Sequence, residues 1–149
     1  MPGLFILMKH NNLKKLNFNS SMEQKNFIGR RKTSTARLYI QPGTGEFVIN
    51  NKSLDDYFST KAHRNVANLP LEVTETDGQF NIKVTVRGGG ITGQSGAVQL
   101  ALARALDDHD EDFHGILKEH GLHTRDDRMV ERKKYGQPKA RKKGQFSKR

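Results

Sequence analysis

Gly88-Gly89-Gly90-Ile91-Thr92-Gly93 matches G-x-G-x-x-G, a spacing that lets backbone approach a pyrophosphate where a strand turns into a helix. Asp108 and Asp110 follow about 20 positions on, where a ribose-binding carboxylate would stand. A dinucleotide site, however, needs this loop near the start of a repeated β-α-β series, and here it lies behind turn-rich segments with one further helix after it. Glycine also lets a strand turn sharply into a closely packed helix, which is the plainer reading, and free N–H groups at a helix start can hold any phosphate, one from RNA included. Gly88, Gly89, Gly90 and Gly93 are expected to form a structural glycine loop.

The six histidines raise the question of a metal, above all His109, His114, His120 and His123 beside several carboxylates. His109 and His114 are five apart, and His120 and His123 straddle Gly121, so the spacing brings no three of them together. Residues 107–112 read as a solvated acidic turn, and no metal site is expected. Thr33, Ser34 and Thr35 have no elbow motif and no base at a recognisable offset, so catalysis has no positive signal.

The remaining chemistry is cationic. The chain has 149 residues, with 26 Lys and Arg against 16 Asp and Glu and a net charge of +10. Residues 27–120 carry 11 basic and 12 acidic side chains and are near neutral, whereas residues 121–149 carry 11 basic and 3 acidic. From Arg132 onward there are nine cations and no anion, with Tyr135 and Phe146 as the only large apolar side chains. Such a segment repels itself and cannot form a core, and Gly136, Pro138 and Gly144 interrupt any helix, so an extended arm ordered by a polyanion is expected. A second tract, Gly29-Arg30-Arg31-Lys32-Thr33-Ser34-Thr35, sets three cations beside hydroxyls at a strand entrance, a combination suited to phosphate and sugar. Two separate cationic tracts on a neutral body point to nucleic acid. Tyr135 and Phe146 suit stacking on folded RNA better than groove contacts, and no apolar helical face favours a membrane surface.

The elements that must hold these groups can be read from periodicity. Ala36, Leu38 and Ile40 alternate with Arg37 and Tyr39, and Phe47 and Ile49 follow a Pro-Gly-rich turn, which predicts a hairpin. Ser53 is placed to cap a short helix with Asp55 and Asp56 in its first turn. Leu69, Leu71 and Val73 predict a strand that Asp77-Gly78 would turn into the next, where Phe80, Ile82, Val84 and Val86 alternate with polar residues. Residues 97–106 are apolar nearly all round, a helix packed on much of its surface. Phe113, Ile116 and Leu117 mark a last helix stopped by Gly121. The sum is α+β, with about four strands and three helices in one domain. The absence of cysteine removes disulfides, thiolate metal sites and cysteine nucleophiles and fits a reducing compartment. The longest apolar run, residues 4–8, is shorter than a signal core of roughly 7 to 15 residues, so a soluble chain is expected.

Four stretches together resemble the bacterial-type family of small-subunit ribosomal protein nine. They are Gly29-Arg30-Arg31-Lys32 with Ala36-Arg37; Gly88-Gly89-Gly90 with Gly93-Gln94 and the alanine-rich run through Arg104-Ala105-Leu106; Arg125-Asp126 with Glu131-Arg132-Lys133-Lys134; and Gln145-Phe146-Ser147-Lys148-Arg149. The resemblance runs from about Phe27 to the last residue and is specific because the four occur in this order. It implies the fold of the second domain of small-subunit ribosomal protein five: a four-stranded sheet with helices on one face and a left-handed β-α-β crossover. It also implies a structural constituent of the small subunit that binds its rRNA in the head, with the arm threading to the peptidyl-site tRNA. Carried onto this chain, Arg30, Arg31, Lys32 and Arg37 would contact rRNA, as would Arg132, Lys133, Lys134, Lys139, Arg141, Lys142 and Lys143, while Ser147, Lys148 and Arg149 would face tRNA. Neighbouring head proteins are the other expected partners, with no cofactor, no membrane and no small-molecule substrate.

The expected division is an N-terminal extension at 1–26, an RNA-binding body at 27–121 and a basic arm at 122–149. Met22-Glu23-Gln24-Lys25-Asn26 resembles a usual family start, so residues 1–21 read as an upstream start or a disordered extension rather than an organelle-targeting segment, and the expected place is the cytoplasmic ribosome. The competing reading from another class is a small phosphate-binding enzyme that uses residues 88–93, its arm keeping it near nucleic acid.

Overall fold

A computed structural model describes residues 25–148. The N-terminal extension to residue 24 and Arg149 lie outside the described residues.

Five strands and four helices follow one another as β1 (Asn26–Arg31), β2 (Ser34–Pro42), β3 (Phe47–Ile49), β4 (Lys52–Ser53), α1 (Leu54–Tyr57), α2 (Lys61–Val73), β5 (Phe80–Arg87), α3 (Ile91–His109) and α4 (Asp112–Glu119). The strands form one mixed sheet in the order β1-β2-β5-β3-β4, with β3 and β5 parallel and the other pairs antiparallel. The α+β reading holds, with five strands where about four were expected and four helices rather than three.

The sheet has a dry face and a wet one. Along β5, Phe80, Ile82, Val84 and Val86 are buried while Lys83, Thr85 and Arg87 are exposed, as the alternation predicted. Helix α3 lies against β1, β2 and β5, with α2 and α4 packed on its other side. This sandwiching explains why residues 97–106 are buried all round save Gln99 and Arg104. At its closest approach to β1, a side chain on Gly29 would run into the Ala97 carbonyl and Ala101 nitrogen, so only glycine lets helix and strand touch there.

Three sequence expectations need correction. The first is the hairpin of residues 36–49. The strands β2 and β3 exist, but β5 is inserted between them: Leu38 pairs with Val84 on one side, and Ile49 pairs with Val84 on the other. The loop between β2 and β3 is wrapped instead around Asn81, whose Oδ1 accepts from the N–H groups of Thr44, Gly45 and Glu46 at 2.9 to 3.2 Å. The second is the strand through Leu69, Leu71 and Val73, which is the end of α2. Apolar residues at i, i+2 and i+4 suit either period; Val66 and Ala67 one turn earlier decide for the helix, with Ala67, Pro70 and Leu71 buried. Pro70 inside the helix gives up one amide donor, and the Thr74 hydroxyl donates to the Pro70 carbonyl at 2.8 Å to close the end. Asp77-Gly78 therefore joins a helix to a strand and not two strands. The third is the basic tract before β2, which is not a free entrance: Arg30 and Arg31 belong to edge strand β1, and Lys32 sits in the two-residue turn to β2 with φ 51°.

The expected helix start and stop agree. Ser53 caps α1, accepting from Asp56 N–H at 3.3 Å, and Gly121 follows α4 with φ +69°. Beyond α4 no helix or strand occurs among the described residues, and none of their helices is long and apolar enough to cross a membrane.

Candidate nucleic-acid interface

The strands contain no acidic residue and six cations, Arg30, Arg31, Arg37, Lys52, Lys83 and Arg87. Pleating sorts them. Residues that alternate with buried Ala36 and Leu38 point to the open side, so Thr35, Arg37 and Tyr39 stand there. Register brings Arg30 and Arg87 to either side of Thr35, Thr85 beside Arg37, and Lys83 beside Tyr39. Thr35, Arg37, Tyr39, Thr85 and Arg87 line one hollow on this face. Guanidinium forks, hydroxyl donors and a phenol ring on a rigid sheet suit the phosphates, riboses and bases of folded RNA. Lys83 and Arg87 were not among the sequence-derived site residues. Their alternation with Ile82, Val84 and Val86 put them on the wet face, but only the β2–β5 and β1–β2 registers show that this face continues to Arg37 and Arg30.

Arg31 leaves that face. Its side chain crosses α3 at Gly96, where a Cβ would strike the Arg31 Cδ, and its Nη2 lies 3.4 Å from Asp126 Oδ2. Asp126 is held as well by Arg128, whose Nη2 donates at 2.7 Å and whose backbone N–H donates at 3.1 Å. These hydrogen bonds, with the charge of Arg31, keep the Asp126 carboxyl far below the usual carboxylate range. Arg31, Lys32, Arg128, Met129 and Val130 surround a second hollow, so the first cationic tract meets the beginning of the C-terminal one.

Further on, Arg132, Lys133, Lys134, Lys139, Arg141, Lys142, Lys143, Ser147 and Lys148 are all exposed. Glu131, the last acid of the chain, receives hydrogen bonds from Lys134 Nζ and Arg141 Nε at 2.8 Å each, which lowers its carboxyl below the ordinary value. Tyr135 and Phe146 are 94% and 88% exposed, so neither ring is covered by the described residues.

The glycine loop serves packing. Gly88 and Gly89 have φ +74° and +64°, and a Cβ on Gly89 or Gly93 would collide with the Ser34 hydroxyl, so the loop fits closely against the β1–β2 turn. Ser34 Oγ and Gln94 Nε2 both donate to the Gly88 carbonyl, at 3.0 and 3.1 Å. Gly90 differs: it precedes α3 with φ −99°, and no atom lies within 4 Å of its would-be Cβ.

No three of the histidines meet among the described residues, but two of them converge on a carboxylate that spacing did not single out. His114 and His123 meet at Asp107, their donor atoms within 4.8 Å of one another, because α4 and Gly121 return the chain to the end of α3.

Residues 29–149 match the family described as ribosomal protein S9/S16. The small ribosomal subunit protein uS9 of Christiangramia forsetii is 56% identical over 128 residues, covering 86% of this chain and 100% of its own length. The uS9 proteins of Chlorobium limicola and Chlorobaculum tepidum are 56% and 53% identical over 122 residues, covering 82% of this chain and 95% of theirs. A family match over most of the chain and relatives this similar leave no room for the phosphate-binding enzyme: the chain belongs to the S9 family of small-subunit ribosomal proteins, structural constituents of the ribosome and not enzymes.

Proposed function

We propose that the chain binds small-subunit rRNA in the head of the particle with both its body and its arm, residues 122–149, and that Ser147, Lys148 and Arg149 reach the peptidyl-site tRNA during translation. The cytoplasmic ribosome is its place, with neighbouring head proteins as further partners. The observation that carries this reading is charge segregation. The strands hold six cations and no acids, and the chain after Glu131 holds nine cations and no acids, while the rest of residues 27–120 carries five cations against twelve acids. Each cation that displaces counterions from a phosphate adds about 0.7 to 0.9 to the salt slope of binding. Arg30, Arg31, Lys32 and Arg37 serve the body's contact, and Arg132, Lys133, Lys134, Lys139, Arg141, Lys142 and Lys143 serve the arm's. The test is the salt dependence of binding to the rRNA of the small-subunit head. Deleting residues 132–149 should flatten the slope by several units, and Arg37→Gln with Arg87→Gln should flatten it by about one to two without loss of thermal stability. Slopes unchanged in both variants would refute the assignment.

A further inference from the structure

We propose that Asp107, His114 and His123 form a binding site for a borderline divalent cation, Zn2+ by preference, at the root of the arm. Asp107 lies near the end of α3, His114 in α4, and His123 just past the Gly121 stop and buried Leu122. Their three donor atoms fall within 4.8 Å of one another. His114 Nδ1 is 2.8 Å from Asp107 Oδ1, and His123 Nε2 is 3.7 Å from the same oxygen.

The longer distance is the informative one. At 3.7 Å there is no hydrogen bond, and His123 Nε2 is a buried nitrogen without a partner among the described residues. An ion pair between Asp107 and His114 accounts for one imidazole but leaves the second aimed at an oxygen it does not reach. Two ligands of one tetrahedral zinc, each about 2.0 to 2.2 Å from the metal, stand about 3.3 Å apart, between the two distances found here. The ring centroids are 4.8 Å apart and the ring planes are tilted by 38°. Asp107, Asp108, Glu111 and His114 line an open hollow at the surface, which gives an anionic entry path and leaves the fourth coordination position to water or a further carboxylate. Two imidazoles and one carboxylate favour zinc over magnesium or calcium, which prefer sets made of oxygen alone. A bound ion would tie α3, α4 and the first residues of the arm together without a disulfide.

The test is calorimetric titration of the chelator-treated full chain with Zn2+ alone. Saturable one-to-one binding is expected, weakened at least about tenfold by His114→Gln and by His123→Gln, and retained in His109→Gln and His120→Gln. Zinc should raise the Tm of the parent chain but not that of the His123→Gln variant. His114 is more than half exposed, so its variant keeps the fold and separates lost ligation from lost structure. Absence of saturable binding, binding that survives both the His114 and His123 substitutions, or displacement of Zn2+ by equal Mg2+ would overturn the proposal.

Discussion

The guanidinium of Arg31 lies 3.4 Å from the carboxylate of Asp126, so the edge strand of the sheet grips the chain seven residues after the end of α4. This contact joins the two cationic regions. Leu122 is buried and His123 half-buried, but from Thr124 to Gly136 only Asp126 is not exposed. The pair is partly exposed, so its contribution to global stability is modest, and its effect is to orient.

Acid should release this root late. The carboxyl of Asp126 is depressed by the hydrogen bonds from Arg128, then by the charges of Arg128 and Arg31. A depressed acid contributes stability above its unfolded value, near 3.9, and loses it only as pH falls through the lower folded value. The side-chain carboxyl signal of Asp126 should therefore stay flat in NMR from pH 8 to about 4, while exposed aspartates titrate as usual. Asp126→Asn should free the root at neutral pH, seen as faster amide exchange in residues 124–130.

The glycine loop should discriminate between adjacent positions. Gly89→Ala puts a Cβ at positive φ and against Ser34, and should cost about 1 to 3 kcal/mol in denaturant unfolding. Gly90→Ser introduces a capping hydroxyl at negative φ in open space and should be neutral or slightly stabilising. Equal losses at the two positions would show that packing of the loop is not the reason for its glycines.

Asn50 should prove more important than its half-exposed position suggests. It follows β3 with φ +48°, its Nδ2 donates to the Val86 carbonyl at 3.0 Å and its Oδ1 accepts from Val86 N–H at 2.9 Å, so a side chain extends the sheet where β3 has ended. Asn50→Ala should cost about 1 to 3 kcal/mol in the same assay, because it unpairs backbone groups of the central strand. Asn51→Ala, at an exposed position of similar φ, should cost less.

The terminal residues should matter for tRNA and little for assembly. Removing residues 147–149 should leave incorporation into subunits intact and weaken peptidyl-site tRNA binding by about 1 to 3 kcal/mol, the scale of one or two charge-assisted hydrogen bonds. Arg149→Lys should cost less than deletion, since charge survives and the planar fork does not. Filter binding of tRNA to purified subunits measures both; equal affinities would restrict the arm to rRNA.

Local periodicity was enough for β5, α3 and α4, whose apolar spacing matches one face or nearly the whole surface of an element. It failed where two periods fit the same residues, as at Leu69, Leu71 and Val73, and where order in sequence differs from order in the sheet, as with β5 between β2 and β3. The cations of the arm were legible as composition. The wet face was only half legible, since Arg37 and Arg87 become neighbours through a pairing of residues 50 positions apart. Neither Arg31 with Asp126 nor His123 with Asp107 leaves any trace in local spacing, because each pair is made by the path of the whole chain.

The insertion of β5 between β2 and β3 also sets the order in which this protein can fold as it is made. Residues 26–42 can pair as a hairpin early, but the outer edge of β2 keeps its backbone N–H and C=O groups unpaired until its partner β5 arrives, which requires synthesis to pass residue 87. At roughly 5 to 20 residues per second, the 45 residues from Pro42 to Arg87 take about 2 to 9 s, a window in which the nascent chain depends on chaperones or on the ribosome surface to stay apart from other chains. The polycationic segment is made after α3, so its cations are synthesised only once every strand of the sheet and the helix that covers it have been.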